Sequence, residues 1–338
     1  MTAASRPSQP IGILDEHPTW SNRLIAELTG RGAPVEKIDV GAHGFQPDER
    51  ARPYSVVVNR TSPSSHTRGH AAALFYAHAF LAYVEDLGVP VINPAAAYRY
   101  ETSKAAQALL FERLGLRYPR TAVLNDPGRA AKLAADFRFP VVVKPNVGGS
   151  GAGIVRFDTS EALEAAARAG ALALGPDGVA LVQEYLTPAD GGIVRVEVLG
   201  GQYLYAIKIF RDPTAGYNLC PADICRPGEP AAPDLAACPA DAPRLVLRVE
   251  RHEPGKAIVE AAVAIMRAAR IDVGGVEYLV DRDGRVHYYD VNATSNFVAD
   301  APALLGFDPT ARFADYIEAV AAGARPVSAP LPEARIAA

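Results

Sequence analysis

Nowhere in the 338 residues do about 18 apolar residues run together, so the sequence predicts no membrane span. Neither sign of charge dominates: 34 Lys and Arg stand against 38 Asp and Glu, a net charge of −4. Bulk electrostatics therefore does not draw the chain to DNA, RNA or anionic lipid. No local basic stripe replaces that attraction. Only three cysteines occur, Cys220, Cys225 and Cys238. An odd count, behind an N-terminus with no signal-peptide core, predicts a reducing, cytoplasmic setting. With His252 they would supply four zinc ligands, but the spacing matches no recognised zinc module. Burial as small apolar side chains is the expectation. The opening MTAASRPSQP predicts a disordered leader over residues 1–10. The Pro- and Ala-rich end predicts a flexible tail over 325–338.

What is present alternates between strand and helix patterns. Ile11 to Leu14, Val35 to Val40 and Val56-Val57-Val58 read as strands. A short helix is expected at Leu24 to Leu28 and a long one at Ala71 to Leu87, before a strand at Val89 to Asn93. This β-α-β order predicts an α/β domain with a parallel sheet over residues 11–95. Beyond it, Thr102 to Leu114 reads as a helix, and Phe139 to Lys144 as a buried strand. Val194 to Leu199 and Gln202 to Phe210 predict a hairpin around Gly200-Gly201. Residues 226–244 read as an irregular Pro/Ala insertion.

Three motifs carry chemistry. The first runs from Lys144 through Gly148, Gly149, Ser150, Gly151 and Gly153. Glycines let backbone N–H groups approach an anion, and a lysine adds mobile charge. No Gly-Lys-Ser/Thr ends the loop, so it is not a Walker A element. A plain hairpin turn is the competing reading. The second is Gln183-Glu184-Tyr185-Leu186, which closes an apolar run. A carboxylate there suits an adenine amino group or a ribose hydroxyl, whereas an exposed strand end is the plainer alternative. The third is a hairpin from Gly275 to Asn292. Asp290 and Asn292 are two apart on a strand and share a face. A four-residue turn at 281–284 would pair Val280 with Arg285 and Glu277 with Tyr288. Glu277 would then lie diagonal to Asp290. Hard oxygen donors of this kind suit Mg2+.

In this order the motifs resemble the ATP-grasp ligases over about residues 95–310. The similarity is to the branch holding glutathione synthetases and the glutamate ligases that modify ribosomal protein. The resemblance implies the ATP-grasp fold: a pre-ATP-grasp domain (11–95), then two α+β lobes sandwiching ATP (96–185 and 186–324). It implies that Lys104 and Lys144 hold the phosphates and that residues 183–186 form the adenine hinge. Glu277, Asp290 and Asn292 match the Mg2+ ligands, for one or two ions, with Mn2+ as a substitute. Ser295 and Asn296 match the loop that follows. Arg195 resembles the arginine that holds the acyl group, and Asn218 the asparagine near the phosphates. Lys208 and Arg211 are further candidates beside the γ-phosphate or acyl group. The segment Tyr217 to Cys225 departs from the glutamate ligases, where a basic stretch and a glycine-rich turn are usual.

The activity so implied is an ATP-dependent carbon–nitrogen ligase that forms ADP and phosphate. A small-molecule carboxylate would be activated as an acyl phosphate and passed to an amine, giving an amide. Amino acids or peptide-like molecules are the expected partners, and a homodimer the expected assembly. Two alternatives stay open: an ATP-grasp kinase acting on a hydroxyl, and a nucleotide-binding module without turnover. In the N-terminal lobe, Arg60, Ser64, Ser65 and His66 follow a buried strand, where ligands of parallel sheets sit. An ordinary polar loop explains them equally well, and the same holds for Asp15, Glu16, His17 and Trp20.

Overall fold

A computed structural model describes residues 9–149, 151–210, 217 and 247–329. Ser150, Arg211, Asn218, the three cysteines and the 226–244 stretch lie outside the described residues.

The N-terminal part contains β1 (Ile11–Asp15), α1 (Asn22–Gly30), β2 (Val35–Asp39), β3 (Val56–Asn59), α2 (Ala71–Asp86) and β4 (Val91–Ile92). Its strands are parallel in the order β2-β1-β3-β4. The unbroken valines of β3 are buried on both faces, as a covered parallel strand requires. On α2, Leu74, Ala77, Leu81 and Val84 recur at helical spacing and are buried.

The next part contains α3 (Ala95–Glu101), α4 (Lys104–Arg113), β5 (Thr121–Leu124), α5 (Ala130–Leu133), β6 (Val141–Pro145), β7 (Val155–Phe157), α6 (Ser160–Arg168) and β8 (Ala180–Glu184). Its sheet is antiparallel, in the order β5-β8-β6-β7. The last part contains β9 (Gly192–Leu199), β10 (Gln202–Phe210), β11 (Arg248–His252), α7 (Lys256–Ala268), β12 (Val273–Val280), β13 (Val286–Asn292), α8 (Ala301–Leu305) and α9 (Pro309–Ala321). It forms a second antiparallel sheet in the order β11-β10-β9-β12-β13.

The two faces of this second sheet do different things. Val194, Val196, Val276 and Val291 pack on Leu110 and Phe111 of α4 and on Ile265 and Met266 of α7. Ile193, Ile207 and Leu279 share a core with Ile11, Ile13, Val56 and Val58 of the N-terminal sheet and with Phe313 and Ile317 of α9. Each such side chain contributes about 1.5–3 kcal/mol when fully buried. Period-two alternation thus aims Arg195, Glu197 and Glu277 at the face that meets the N-terminal lobe. Among the described residues no helix is long and apolar enough to cross a membrane.

The parallel sheet followed by two antiparallel sheets is the expected plan. Several elements differ from the sequence reading. The strand expected at Val89 to Asn93 shrinks to Val91–Ile92, and α3 begins directly after Pro94. The helix expected from Thr102 starts at Lys104, because Ser103 caps it by accepting from the Ala106 N–H. The hairpin register is also corrected. Val280 pairs with Val286 and Glu277 with Asp290, with a register shift between Glu277 and Tyr278. Tyr289 is the extra residue of that bulge, so the two carboxylates stand directly opposite rather than diagonal.

Candidate active site

Two lysines reach the site from the first antiparallel part. Lys144 ends β6 and is buried. Lys104 is the first residue of α4, and its Nζ donates to the Gly148 carbonyl at 2.7 Å. Asn146 fixes the junction. Its Oδ1 accepts from the Ala105 N–H at 2.8 Å, and its Nδ2 donates to Asp177 at 2.6 Å. The helix start and the strand end that carry the lysines are thereby tied together. Gly151 has φ +73°, and a Cβ there would collide with the Tyr217 backbone. A side chain at that point of the loop is excluded on both grounds.

The acidic partners come from the second sheet. Glu277 Oε1 accepts from Arg195 Nη1 at 3.1 Å, and Oε2 from the Tyr289 hydroxyl at 2.8 Å. Arg195 Nε donates to Glu197 Oε1 at 2.6 Å, which also accepts from Ser295 Oγ at 2.9 Å. Asn292 Nδ2 donates to Asp290 Oδ2 at 3.2 Å. Glu101 of α3 accepts from the N–H groups of Ala293 and Thr294, directly after Asn292.

Electrostatics joins the two halves. Burial lowers the Lys144 pKa to about 8; Lys104 adds to the fall, and Asp290 and Glu277 oppose it. Burial and the nearby Asp290 push Glu277 up, against the pull of Arg195 and Tyr289. Burial raises Glu101 to about 7, with Asp290 adding and Lys104 opposing. Burial works against the charge of Arg195, yet Glu197 and Glu277 raise its pKa. Lysines of one sheet and carboxylates of another therefore share one field. An arrangement of this kind suits a polyanion beside a cation.

Two family models match the chain. The LysX preATP-grasp domain matches residues 22–99, and the RimK-like ATP-grasp domain matches residues 102–214. The chain belongs to the ATP-grasp superfamily.

Among its relatives is a probable alpha-L-glutamate ligase 2 of Pseudoalteromonas atlantica, 33% identical over 147 residues, covering 43% of this chain and 47% of that protein. A probable alpha-L-glutamate ligase of Saccharophagus degradans is 28% identical over 212 residues, covering 59% of this chain and 66% of that protein. The chain thus spans about half to two thirds of the length of these curated relatives. Among solved structures, the ATP-grasp ligase PsnB, complexed with a phosphomimetic variant of its minimal precursor, Mg and ADP, superposes with a TM-score of 0.62. That likeness covers 93% of this chain and 99% of PsnB at 17% identity, and it speaks to the fold.

Within this ATP-grasp chain the candidates divide. The structure brings together Lys104, Lys144, Arg195, Glu277, Asp290 and Asn292. Gly148 and Gly149 lie beside His66 and Ser64 of the N-terminal lobe. Gly153, at φ +72°, packs against Pro145. Glu184 is paired locally. Its carboxylate accepts from the Arg138 N–H at 2.9 Å and pairs with Arg138 Nη2 at 3.2 Å. Gln183 donates to Thr121 Oγ1. Both side chains are thus engaged by residues of the same lobe. Lys208 lies apart from this group. It pairs with Val194 in register, so it lies on the opposite sheet face from Arg195, where it bonds Asp190. Alternation along β10 made this legible. Ser150 and Asn218 lie outside the described residues.

Sequence reasoning missed Glu101, Asn146, Glu197 and Tyr289. Glu197 carried a signal: an acid two residues after Arg195 on a strand shares its face. Glu101 carried none, since its partners are about 190 residues away.

Proposed function

We propose that the chain is an ATP-dependent carboxylate–amine ligase that forms ADP, phosphate and an amide. The observation that carries this reading is the placement of Lys104 and Lys144 in one field with Glu277 and Asp290. Lys104, Lys144 and the amides of the 147–153 loop hold the phosphates, and backbone groups at 184–186 hold the adenine. The lobes of the proposal are 11–95, 96–185 and 186–324, although α4 also packs on the second sheet.

The donor set fits Mg2+. Two carboxylates and an amide carbonyl are hard oxygens, and among the described residues no group of three or more His, Cys, Asp or Glu closes a cage. An Mg2+ site usually completes its shell with water and phosphate. Glu277, Asp290 and Asn292 would hold the ion, which would supply charge neutralisation during phosphoryl transfer. Arg195 presents Nη2 beyond its two carboxylate partners and orients the substrate carboxylate for attack on the γ-phosphorus. It then steadies the oxyanion when the amine attacks the acyl phosphate. The glycine-rich loop keeps water from that intermediate. Amino acids or peptides are the proposed partners, a reading supported by relatives named as glutamate ligases and by PsnB with its precursor. A second Mg2+, replacement by Mn2+, and a homodimer complete the proposal.

The test is ADP release with Mg·ATP across acids and amines offered singly and in pairs. Release that needs both, with an amide in the mass spectrum, supports the ligase. Release with a hydroxylated compound alone and a phosphorylated product selects a kinase. Tight nucleotide binding without release from any mixture selects a binding module.

A further inference from the structure

Ten buried side-chain polar atoms lack a partner among the described residues, and seven belong to two short segments of the N-terminal lobe. They are Asp15 Oδ2 at the end of β1, His17 Nε2, Trp20 Nε1 and Ser21 Oγ after it, and Arg60 Nε, Thr61 Oγ1 and Ser65 Oγ after β3. Buried polar groups are nearly always satisfied, so such clustering asks for a cause. Asp15 and Ser21 stand close enough for the hydroxyl to lower the carboxyl pKa, so they partly serve each other.

The five that remain can all donate. Trp20 Nε1 and Arg60 Nε do nothing else. His17 Nδ1 accepts from the Thr19 N–H at 3.2 Å, which puts the ring proton of the neutral imidazole on Nε2. Burial, followed by Arg68, lowers its pKa to about 4, so the ring is neutral at pH 7. Thr61 and Ser65 add hydroxyls.

Arg60 is a buried cation whose partners are neutral. Nη1 donates to the Ser295 carbonyl at 2.6 Å and Nη2 to Asn296 Oδ1. Asp15, Glu101 and Glu197 act on it only through space. A buried charge without a bonded counter-ion is costly. The neighbouring Arg68 differs, since it is neutralised by Glu16 at 2.5 Å.

The two segments share one place in the sheet. β1 and β3 are adjacent and parallel, with Leu14 opposite Asn59, so both segments lie at the carboxyl edge of the sheet, where ligands sit. Ser295 joins this edge to the reaction centre: its carbonyl accepts from Arg60 and its hydroxyl donates to Glu197, the partner of Arg195. Ser295 and Glu197 thus link the two guanidinium groups.

We infer that His17, Trp20, Arg60, Thr61 and Ser65 form a carboxylate-binding subsite in the N-terminal lobe. It takes a carboxylate of the substrate other than the one that reacts, so the substrate is a dicarboxylic acid or an amino acid held by its α-carboxylate. This rests on the ligase reading. A carboxylate is acceptor-only, with about four lone-pair sites, and matches one cation and several neutral donors. Inorganic phosphate carries more charge than the single Arg60 answers.

The subsite is tested on the full chain without ATP, by calorimetric titration with glutarate, L-glutamate and inorganic phosphate. The variants are Thr61→Val and Ser65→Ala. Removing an unpaired buried hydroxyl relieves its desolvation cost, so the melting temperature of the free variant is expected to hold or rise. Affinity for glutarate or L-glutamate is expected to fall about tenfold in each variant, the loss of one hydrogen bond to a charged group. Affinity for Mg·ADP stays at the wild-type value. Wild type binding neither dicarboxylate, equal affinity in wild type and variants, or tighter binding of phosphate overturns the subsite. A lower melting temperature in both variants, with unchanged affinity, assigns the hydroxyls to internal packing and also overturns it. Failure to bind Mg·ADP defeats the ligase reading separately.

Discussion

The guanidinium of Arg195 lies directly over Gly275: a Cβ on that glycine would stand 2.6 Å from Arg195 Cζ, Nε and Nη2. Gly275 is the register partner of Glu197, and Glu277 that of Arg195. The arginine therefore bends across β12 to reach both acids, and only a residue without a side chain leaves it room. A buried triad of this kind is weak evidence for stability, because desolvation offsets the attraction between its charges.

Gly275→Ala is expected to push Arg195 off Glu277. Overpacking costs about 1–3 kcal/mol, measured by denaturant unfolding. ADP release is expected to fall at least about tenfold, as for loss of a charge-assisted hydrogen bond. Wild-type turnover in this variant would mean that the Arg195 position is not used.

Lys208 and Arg195 make a contrast. Lys208 faces away from Glu277 and pairs with the exposed Asp190. Lys208→Met is expected to keep ADP release within about threefold, because surface ion pairs contribute at most about 1 kcal/mol. Arg195→Met is expected to abolish it and to destabilise the fold by about 3–5 kcal/mol, since two buried acids lose their cation. Equal loss of turnover in both variants would return Lys208 to the site.

Glu101 gives a pH signature. Its folded pKa of about 7 lies above its ordinary 4.5, first through burial. Between those values the folded state binds more protons than the unfolded one, so stability is fully present below pH 4.5 and is lost as pH rises through 7. Glu101→Gln keeps an oxygen for Ala293 and Thr294 without the charge. Relative to wild type it is expected to gain about 1–3 kcal/mol at pH 8 over pH 5. A pH-independent difference would remove Glu101 as the source.

Lys144 titrates in the other direction. Its folded pKa of about 8 lies below the ordinary 10.5, through burial and then Lys104. The unfolded state binds more protons between those values, so this group adds stability as pH rises from 8 to 10.5. Phosphates beside Lys144 would draw its proton back. Mg·ADP titrations at pH 8.5, in two buffers of different ionisation enthalpy, are expected to show proton uptake in wild type and none in Lys144→Met. Equal uptake in both would place the phosphates elsewhere.

The sequence by itself determined the local pieces. Val56 to Val58 had to be a covered strand, Lys144 had to lead into a loop of glycines, and Asp290 and Asn292 had to share a face. Each follows from neighbours along the chain, through alternation and backbone freedom. The same logic would have found α9, whose Phe313, Ala314, Ile317 and Val320 recur at helical spacing. Only the tertiary structure decided how the pieces meet. The bulge at Tyr289 sets Glu277 against Asp290, and it arises from pairing two strands, not from either one. Glu101 meets Ala293, and Arg60 meets Ser295, across about 190 and 235 positions. Such contacts depend on which sheet faces pack together, a choice made by long-range burial that no local pattern encodes.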